Sequence, residues 1–347
     1  MKSAESDHGR LSLAAVVERL EREEFLRGST RPRIEQIRGH RERVWECVFC
    51  ERRLDGHDPQ VDVMGALCER SQGAGWPPGL ASGGLLADDP VLQRWGHAAA
   101  EPDAAAPMLW FEWDMPGGSP REPLASICVS NAILGDLAAR RAPTEREARH
   151  RLYGEIAATL LPAGRSAGWR EALARVTDAL GKRSGLLHIA GLLPRGSERL
   201  RLAVWVEART LVPWLRAIGW PGETDDLPTA LFRIAPPFQR VGVQIELCPE
   251  VGPYLALETP ELRSEEDGRR ATRRIGELGG LAPIADDAVA DFARWPGVGE
   301  LVVDGEPMPV LRHAYVKLTR EGRGAWSAKG YFGITTLAMT EHRVRVA

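Results

Sequence analysis

Four segments of this chain alternate apolar and polar residues on both sides of a short turn, and this pattern limits the fold more than any other feature. Successive side chains of a strand point to opposite faces, so each segment predicts a hairpin with two unlike faces. In HAYVKLTREGRGAWSAKGYFGITTLA (313–338) one face carries Ala314, Val316, Leu318, Trp326, Ala328, Phe332 and Ile334. The other carries His313, Tyr315, Lys317, Thr319, Ser327, Lys329, Tyr331 and Thr335. The first face is core. The second must meet either bulk water or an enclosed wet space.

The same division recurs upstream. In 108–115 and 123–130, Leu109, Phe111, Trp113, Ala125, Ile127 and Val129 oppose Trp110, Glu112, Asp114, Ser126, Cys128 and Ser130. In 186–193 and 199–207, Leu200, Leu202, Val204 and Val206 oppose Arg201, Trp205 and Glu207. In 240–248 and 254–259, Val241, Val243, Ile245, Leu247, Leu255 and Leu257 oppose Gln244, Glu246, Tyr254 and Glu258. Helical patterns separate the hairpins, at 144–161 (with Thr144 and Glu147 at capping-box spacing), 167–181, 210–219, 227–234, 261–278 and 286–295.

The order is therefore ααββ, four times, an α+β chain with helix pairs covering one side of an antiparallel sheet. Trp110, Trp205, Tyr254, Tyr315 and Tyr331 would make a large exposed aromatic area on a flat sheet. Curling the strands into a barrel removes the edges and encloses those rings. The expected fold is a β-barrel or strongly curled sheet over 107–340 with helices outside. Before it come a disordered tail (1–10) and a helical segment (11–106), with helices at 12–26 and 58–72 and a Gly/Pro-rich loop at 73–107.

Composition excludes several classes. Lys plus Arg number 45 against 48 Asp plus Glu, which argues against a dedicated nucleic-acid binder. No apolar run is long enough to span a membrane, and MKSAESDHGR lacks a signal peptide's apolar core. Five cysteines in a chain of this size suggest reduced thiols and a cytoplasmic location. Cys47 and Cys50 have CxxC spacing, with His57 and Cys68 nearby, but no second CxxC or HxxxH supports zinc, so they read as helical core cysteines. His188 reads as a hydrogen-bonded strand histidine rather than a base, and GAGWPPGLASGG (73–84) as a loop without the P-loop Lys-Ser/Thr.

The ααββ order resembles the aromatic prenyltransferases of the ABBA type, whose antiparallel barrel holds an aromatic acceptor and a prenyl diphosphate. The resemblance covers roughly 108–338 and rests on architecture. It implies an acceptor-holding carboxylate at Glu112, in WFEWD, and diphosphate or allyl-cation contacts at Arg201, Lys317, Lys329, Tyr254, Tyr315 and Tyr331. It also implies five repeats where four are read. The predicted lumen sets Arg201, Lys317 and Lys329 against Glu112, Asp114, Glu207, Glu246 and Glu258, an acidic balance unsuited to a diphosphate unless Mg²⁺ intervenes.

GLLP, IGWPG, YLALE and VKL…AKGYF look similar to phrases in proteins found beside ribosomally made peptides, including the crocagin-type pathway, whose product derives from an aromatic tripeptide. That resemblance implies a cavity that binds an aromatic-containing peptide, for cyclisation or for presentation to other proteins of the pathway. Trp110, Arg201, Trp205, Glu246, Tyr254, Glu258 and Tyr315 are the expected substrate contacts. Glu112, Lys317, Lys329 and Tyr331 are the expected acid–base and charge-stabilising groups. No metal or cofactor is expected, Mg²⁺ entering only with a prenyl diphosphate. The alternatives are an aromatic prenyltransferase and a non-catalytic peptide-binding scaffold.

Overall fold

The computed structural model describes residues 11–22, 43–56, 61–68, 108–113, 125–130, 146–161, 167–181, 184–192, 198–234, 240–303 and 305–337. The tail at 1–10, the loop at 73–107, and His57, Asp114 and Thr144 lie outside them.

The strands are β1 (Leu11–Ser12), β2 (Arg43–Trp45), β3 (Cys47–Arg53), β4 (Val61–Cys68), β5 (Met108–Trp113), β6 (Ala125–Ser130), β7 (Gly185–Gly191), β8 (Leu200–Glu207), β9 (Arg240–Leu247), β10 (Val251–Glu258), β11 (Gly297–Val303), β12 (Glu306–Glu321) and β13 (Ser327–Thr336). Seven helices are described: α1 (Leu13–Arg22), α2 (Arg146–Leu160), α3 (Ala167–Asp178), α4 (Leu211–Ile218), α5 (Leu227–Ile234), α6 (Glu265–Leu278) and α7 (Asp286–Arg294).

Strands β3 to β10 form an antiparallel meander. β13 pairs with β3, and the second half of β12 pairs with β10, so ten staves close into a barrel. The first half of β12 runs past the barrel and pairs with β11, which the alternation had not revealed.

The sequence expectation needs one large correction. The segment read as helical supplies two staves: β3 and β4, within 47–68, belong to the barrel, and the helix expected at 58–72 is a strand where described. Val61 and Val63 favour a strand, and Gly65 has a specific reason to be there. A Cβ on Gly65 would stand 2.4 Å from the Trp45 ring, so the strand needs a bare backbone at that point. The barrel thus contains five hairpins rather than four.

Helices surround the closed sheet and bury its outer face. Leu109, Phe111, Leu202, Val204, Val243, Ile245, Leu257, Val316 and Phe332 pack in one core with Trp169, Trp214, Leu215, Leu231, Ile275 and Phe292 from the helices. Each buried side chain of this size contributes about 1.5–3 kcal/mol. The stability of the shell therefore does not depend on an apolar lumen, which leaves the inner face free to carry polar groups.

Candidate functional site

The inner faces of the staves enclose a cavity of about 650 Å³, within the ~300–1,000 Å³ range of small-molecule sites. Its wall includes Phe49, Met64, Trp110, Glu112, Cys128, His188, Arg201, Trp205, Gln244, Glu258, Tyr315, Lys317 and Tyr331. Of the eleven residues singled out in the sequence, Glu112, Lys317, Tyr331, Trp110, Arg201, Trp205, Glu258 and Tyr315 are on this wall. Lys329, Glu246 and Tyr254 are not. They lie one or two register steps farther along the same staves.

The cavity has a floor built by register. Lys317 stands opposite Lys329 and Glu258, while Tyr331 stands opposite Tyr315 and Glu51. Glu51, from β3, accepts short hydrogen bonds from Lys329 and from the Tyr331 hydroxyl. The Lys317 ammonium lies 3.6 Å from the same carboxylate and 4.5 Å from the Tyr331 ring centroid. Tyr315 and Tyr331 stack with centroids 4.5 Å apart, nearly parallel. Burial would depress the Lys329 ammonium, but the Glu51 carboxylate outweighs it and raises the pKa. Sequence reasoning missed Glu51 because its segment was read as helical. The signal was Cys47, Phe49 and Glu51 alternating with Val48, Cys50 and Arg52.

On the next stave pair, Arg201 donates to Glu246 over 2.7 Å and Arg199 donates to its other oxygen over 3.0 Å. Arg201 also lies over the Tyr254 ring at 4.5 Å. Glu246 and Tyr254 hold Arg201 in place and do not reach the cavity. Glu207 pairs with Arg209.

The remaining wall is acidic and aromatic. Glu258 is raised by burial, against the opposing pull of Lys317 and a 2.6 Å hydrogen bond from Gln244. Gly242 faces it in register; a Cβ there would come within 2.7 Å of the carboxylate, so the glycine gives Glu258 its room. Burial and the carboxylates Glu258, Glu261, Glu51 and Glu112 raise Tyr315 well above an ordinary phenol. Phe49 packs edge-on against Tyr315 at 5.8 Å and His313 at 4.6 Å.

On this wall Trp110 Nε1, His188 Nδ1 and Gln244 Oε1 have no hydrogen-bond partner among the described residues. His188 is therefore not the fully hydrogen-bonded strand residue expected, and burial pushes it down to about 4, so it is neutral at physiological pH. Cys47 and Cys50 are strand residues rather than helical. Three positions apart on a strand, they face opposite sides, Cys47 the lumen and Cys50 the outer core, so the CxxC spacing cannot grip one metal. Among the described residues no group of three or more His, Cys, Asp or Glu side chains is arranged to hold a metal ion.

Thr259, Pro260, Glu261 and Arg263 line one side of the cavity, on a strap that prolongs β10 along β12. Thr259 N–H donates to Val316 O, and Leu262 and Ala314 exchange both backbone hydrogen bonds. The strap ends in a capping box of α6, with Ser264 at the N-cap and Asp267 three residues on. No helix among the described residues is long and apolar enough to cross a membrane. No family model matches the chain, and no curated protein matches it significantly.

Proposed function

We propose that the barrel binds a small, aromatic-containing peptide in its lumen, for tailoring or for presentation to partner proteins in the making of a ribosomally derived natural product. The observation that carries this reading is the set of unpartnered polar atoms, one donor and two ring or amide positions, set among Trp110, Trp205, Phe49 and Tyr315. Buried polar atoms without partners are rare, and a peptide offers both donors and acceptors for them. The acidic wall of Glu112, Glu258 and Glu261 suits a ligand amine or indole N–H. The crocagin-like phrases supply the pathway. Four free thiols, Cys47, Cys50, Cys128 and Cys248, accord with a reducing, cytoplasmic setting.

Aromatic prenyl transfer is the second reading, favoured by the five hairpins that its resemblance implies. Against it, Lys317 and Lys329 converge on Glu51 and Arg201 on Glu246, so the three cations named for a diphosphate already face carboxylates. Displacing such pairs costs what the new contacts would supply.

Calorimetric titration separates the readings. A short Trp- and Tyr-containing peptide should bind, and dimethylallyl diphosphate should not, with or without Mg²⁺. Diphosphate binding would put prenyl transfer first. If neither ligand bound, peptide binding in the lumen would be refuted.

A further inference from the structure

Four side chains from four separate segments meet on the cavity wall beside the strap. The Cys47 sulfur (β3) lies 3.7 Å from His313 Nε2 (β12). His313 Nδ1 lies 3.1 Å from Glu261 Oε1 on the strap. Thr335 (β13) donates its hydroxyl proton to the Cys47 sulfur over 3.1 Å, and its oxygen lies 3.0 Å from His313 Nε2. Cys47, His313 and Glu261 all line the cavity.

Backbone placement makes this meeting specific. Gly333 stands opposite both His313 and Phe49, and a Cβ there would come within 2.6 Å of His313 Nε2. The missing side chain lets the imidazole lie across β13 towards Cys47 and Thr335. Outside the barrel, Trp295 donates to His313 O and lies within reach of Gly333 O, pinning the two strands at this level. Arg263 holds Glu261 from the other side, with contacts of 2.9 and 2.6 Å.

We propose that Cys47 is a nucleophile for acyl transfer, with His313 as its proton-transfer partner and Glu261 as the positioning residue, acting on activated acyl compounds (esters or thioesters) that enter the cavity. Nucleophile, imidazole and carboxylate stand in the order such chemistry needs, each within reach of the next. Thr335 donates its hydrogen to the sulfur, so its oxygen is left to accept from His313 Nε2–H, and Nδ1 lies against the Glu261 carboxylate. Burial would lower this imidazole, but the Glu261 charge and the Cys47 and Glu261 hydrogen bonds raise it to about 9.

The step balances. With the proton of the Cys47–His313 pair on His313, the sulfur attacks the acyl carbon, the S–C bond forms, and the C–O or C–S bond breaks with its electron pair leaving on oxygen or sulfur. His313 Nε2–H protonates that leaving group. An incoming amine or water then attacks the thioester and gives its proton to His313, and the S–C bond breaks with its electron pair returning to the Cys47 sulfur, which restores the starting pair. The proposal concerns the wall and not the identity of the natural ligand, so it can fail while peptide binding holds, and the reverse.

The other cysteines serve as controls. Cys128 lines the same cavity, but burial and then Glu112 raise its thiol. Cys50 faces the core and is raised by burial and Asp62, while Cys248 is exposed. Full-length protein treated with p-nitrophenyl acetate should release a stoichiometric burst of p-nitrophenolate and carry one acetyl group, mapped by mass spectrometry to Cys47. Cys47→Ala should abolish the burst. Glu261→Gln should slow it by at least about tenfold, and Glu261→Asp should recover part of the rate at an unchanged melting temperature. An acetyl group on Cys128 or Cys248 in preference to Cys47, an unmodified Cys47 in the folded wild type, or a burst that survives Cys47→Ala would overturn the proposal. The wild-type map decides even if a variant fails to fold.

Discussion

The floor and the remaining wall of this lumen use the same residue types in opposite ways. On the floor, Glu51, Lys317, Lys329 and Tyr331 are one another's partners, in a polar layer whose groups are satisfied within the protein. On the wall, Trp110, His188 and Gln244 hold polar atoms without a hydrogen-bond partner among the described residues, and Cys47 faces an imidazole. A charged group in a barrel is therefore no sign of a ligand contact by itself. What matters is whether its hydrogen-bonding capacity is already used.

The largest effect expected from breaking the floor is on stability. Glu51→Gln leaves Lys317, only 5% exposed, beside a neutral amide. Removing one member of a buried ion pair costs about 3–5 kcal/mol, and chemical denaturation should show a loss of that size. A loss below about 1 kcal/mol would mean that Glu258, across from Lys317, carries the cation alone.

The second effect appears along pH, where two histidines of one cavity pull in opposite directions. His313 is raised from 6.5 to about 9, so its contribution is complete below its ordinary value and is lost as pH rises through about 9. His188 is lowered from 6.5 to about 4, so its contribution is present above its ordinary value and is lost as pH falls through about 4. Within those windows each pH unit moves stability by up to about 1.4 kcal/mol per histidine. Denaturation at a series of pH values should show both limbs. His313→Asn should flatten only the alkaline one, and His188→Gln only the acid one. An alkaline limb that persists in His313→Asn would place its origin outside the Glu261 pair.

The wall gives a third test through binding. Glu258→Gln removes the wall carboxylate nearest the cationic floor while keeping its shape and the room left by Gly242. The peptide amine or indole N–H would lose a carboxyl acceptor, which corresponds to about tenfold in Kd, or ~1.4 kcal/mol. Unchanged affinity in the titration would move the ligand's donor to Glu112 or Glu261.

The alternation of hairpins made the shell legible because outer-face burial is a period-two property that each strand records by itself. Leu109, Phe111, Val243, Ile245, Val316 and Phe332 all occupy the outer core as their spacing requires. The same alternation assigned Trp110, Trp205, Tyr315 and Lys317 to the lumen. Two kinds of information were not recorded locally. Height along a stave depends on barrel register, so Glu246 and Tyr254 share a face with Arg201 yet fall outside the cavity. Partnership across the barrel depends on closure: Glu51 meets Lys329 only because β13 pairs with β3, across 278 residues of chain. Glu261 and His313 meet through a strap that no periodicity announces.

Lys329 brings the comparison to its smallest and most telling effect. By residue type and strand face it stood with Lys317 and Tyr331 among the charge-stabilising groups expected from the sequence. In the barrel it lies one register step past Tyr331, its side chain 28% exposed, with its ammonium on Glu51. Lys329→Ala would leave Glu51 with Lys317 and the Tyr331 hydroxyl, and the Tyr315–Tyr331 stack would still separate the altered site from the cavity. Peptide affinity in Lys329→Ala should therefore stay within about threefold of wild type, under ~0.7 kcal/mol, while Glu258→Gln loses about tenfold. Equal losses in the two variants would mean that the ligand reaches through the floor, and the division between a closed floor and an available wall would have to be redrawn.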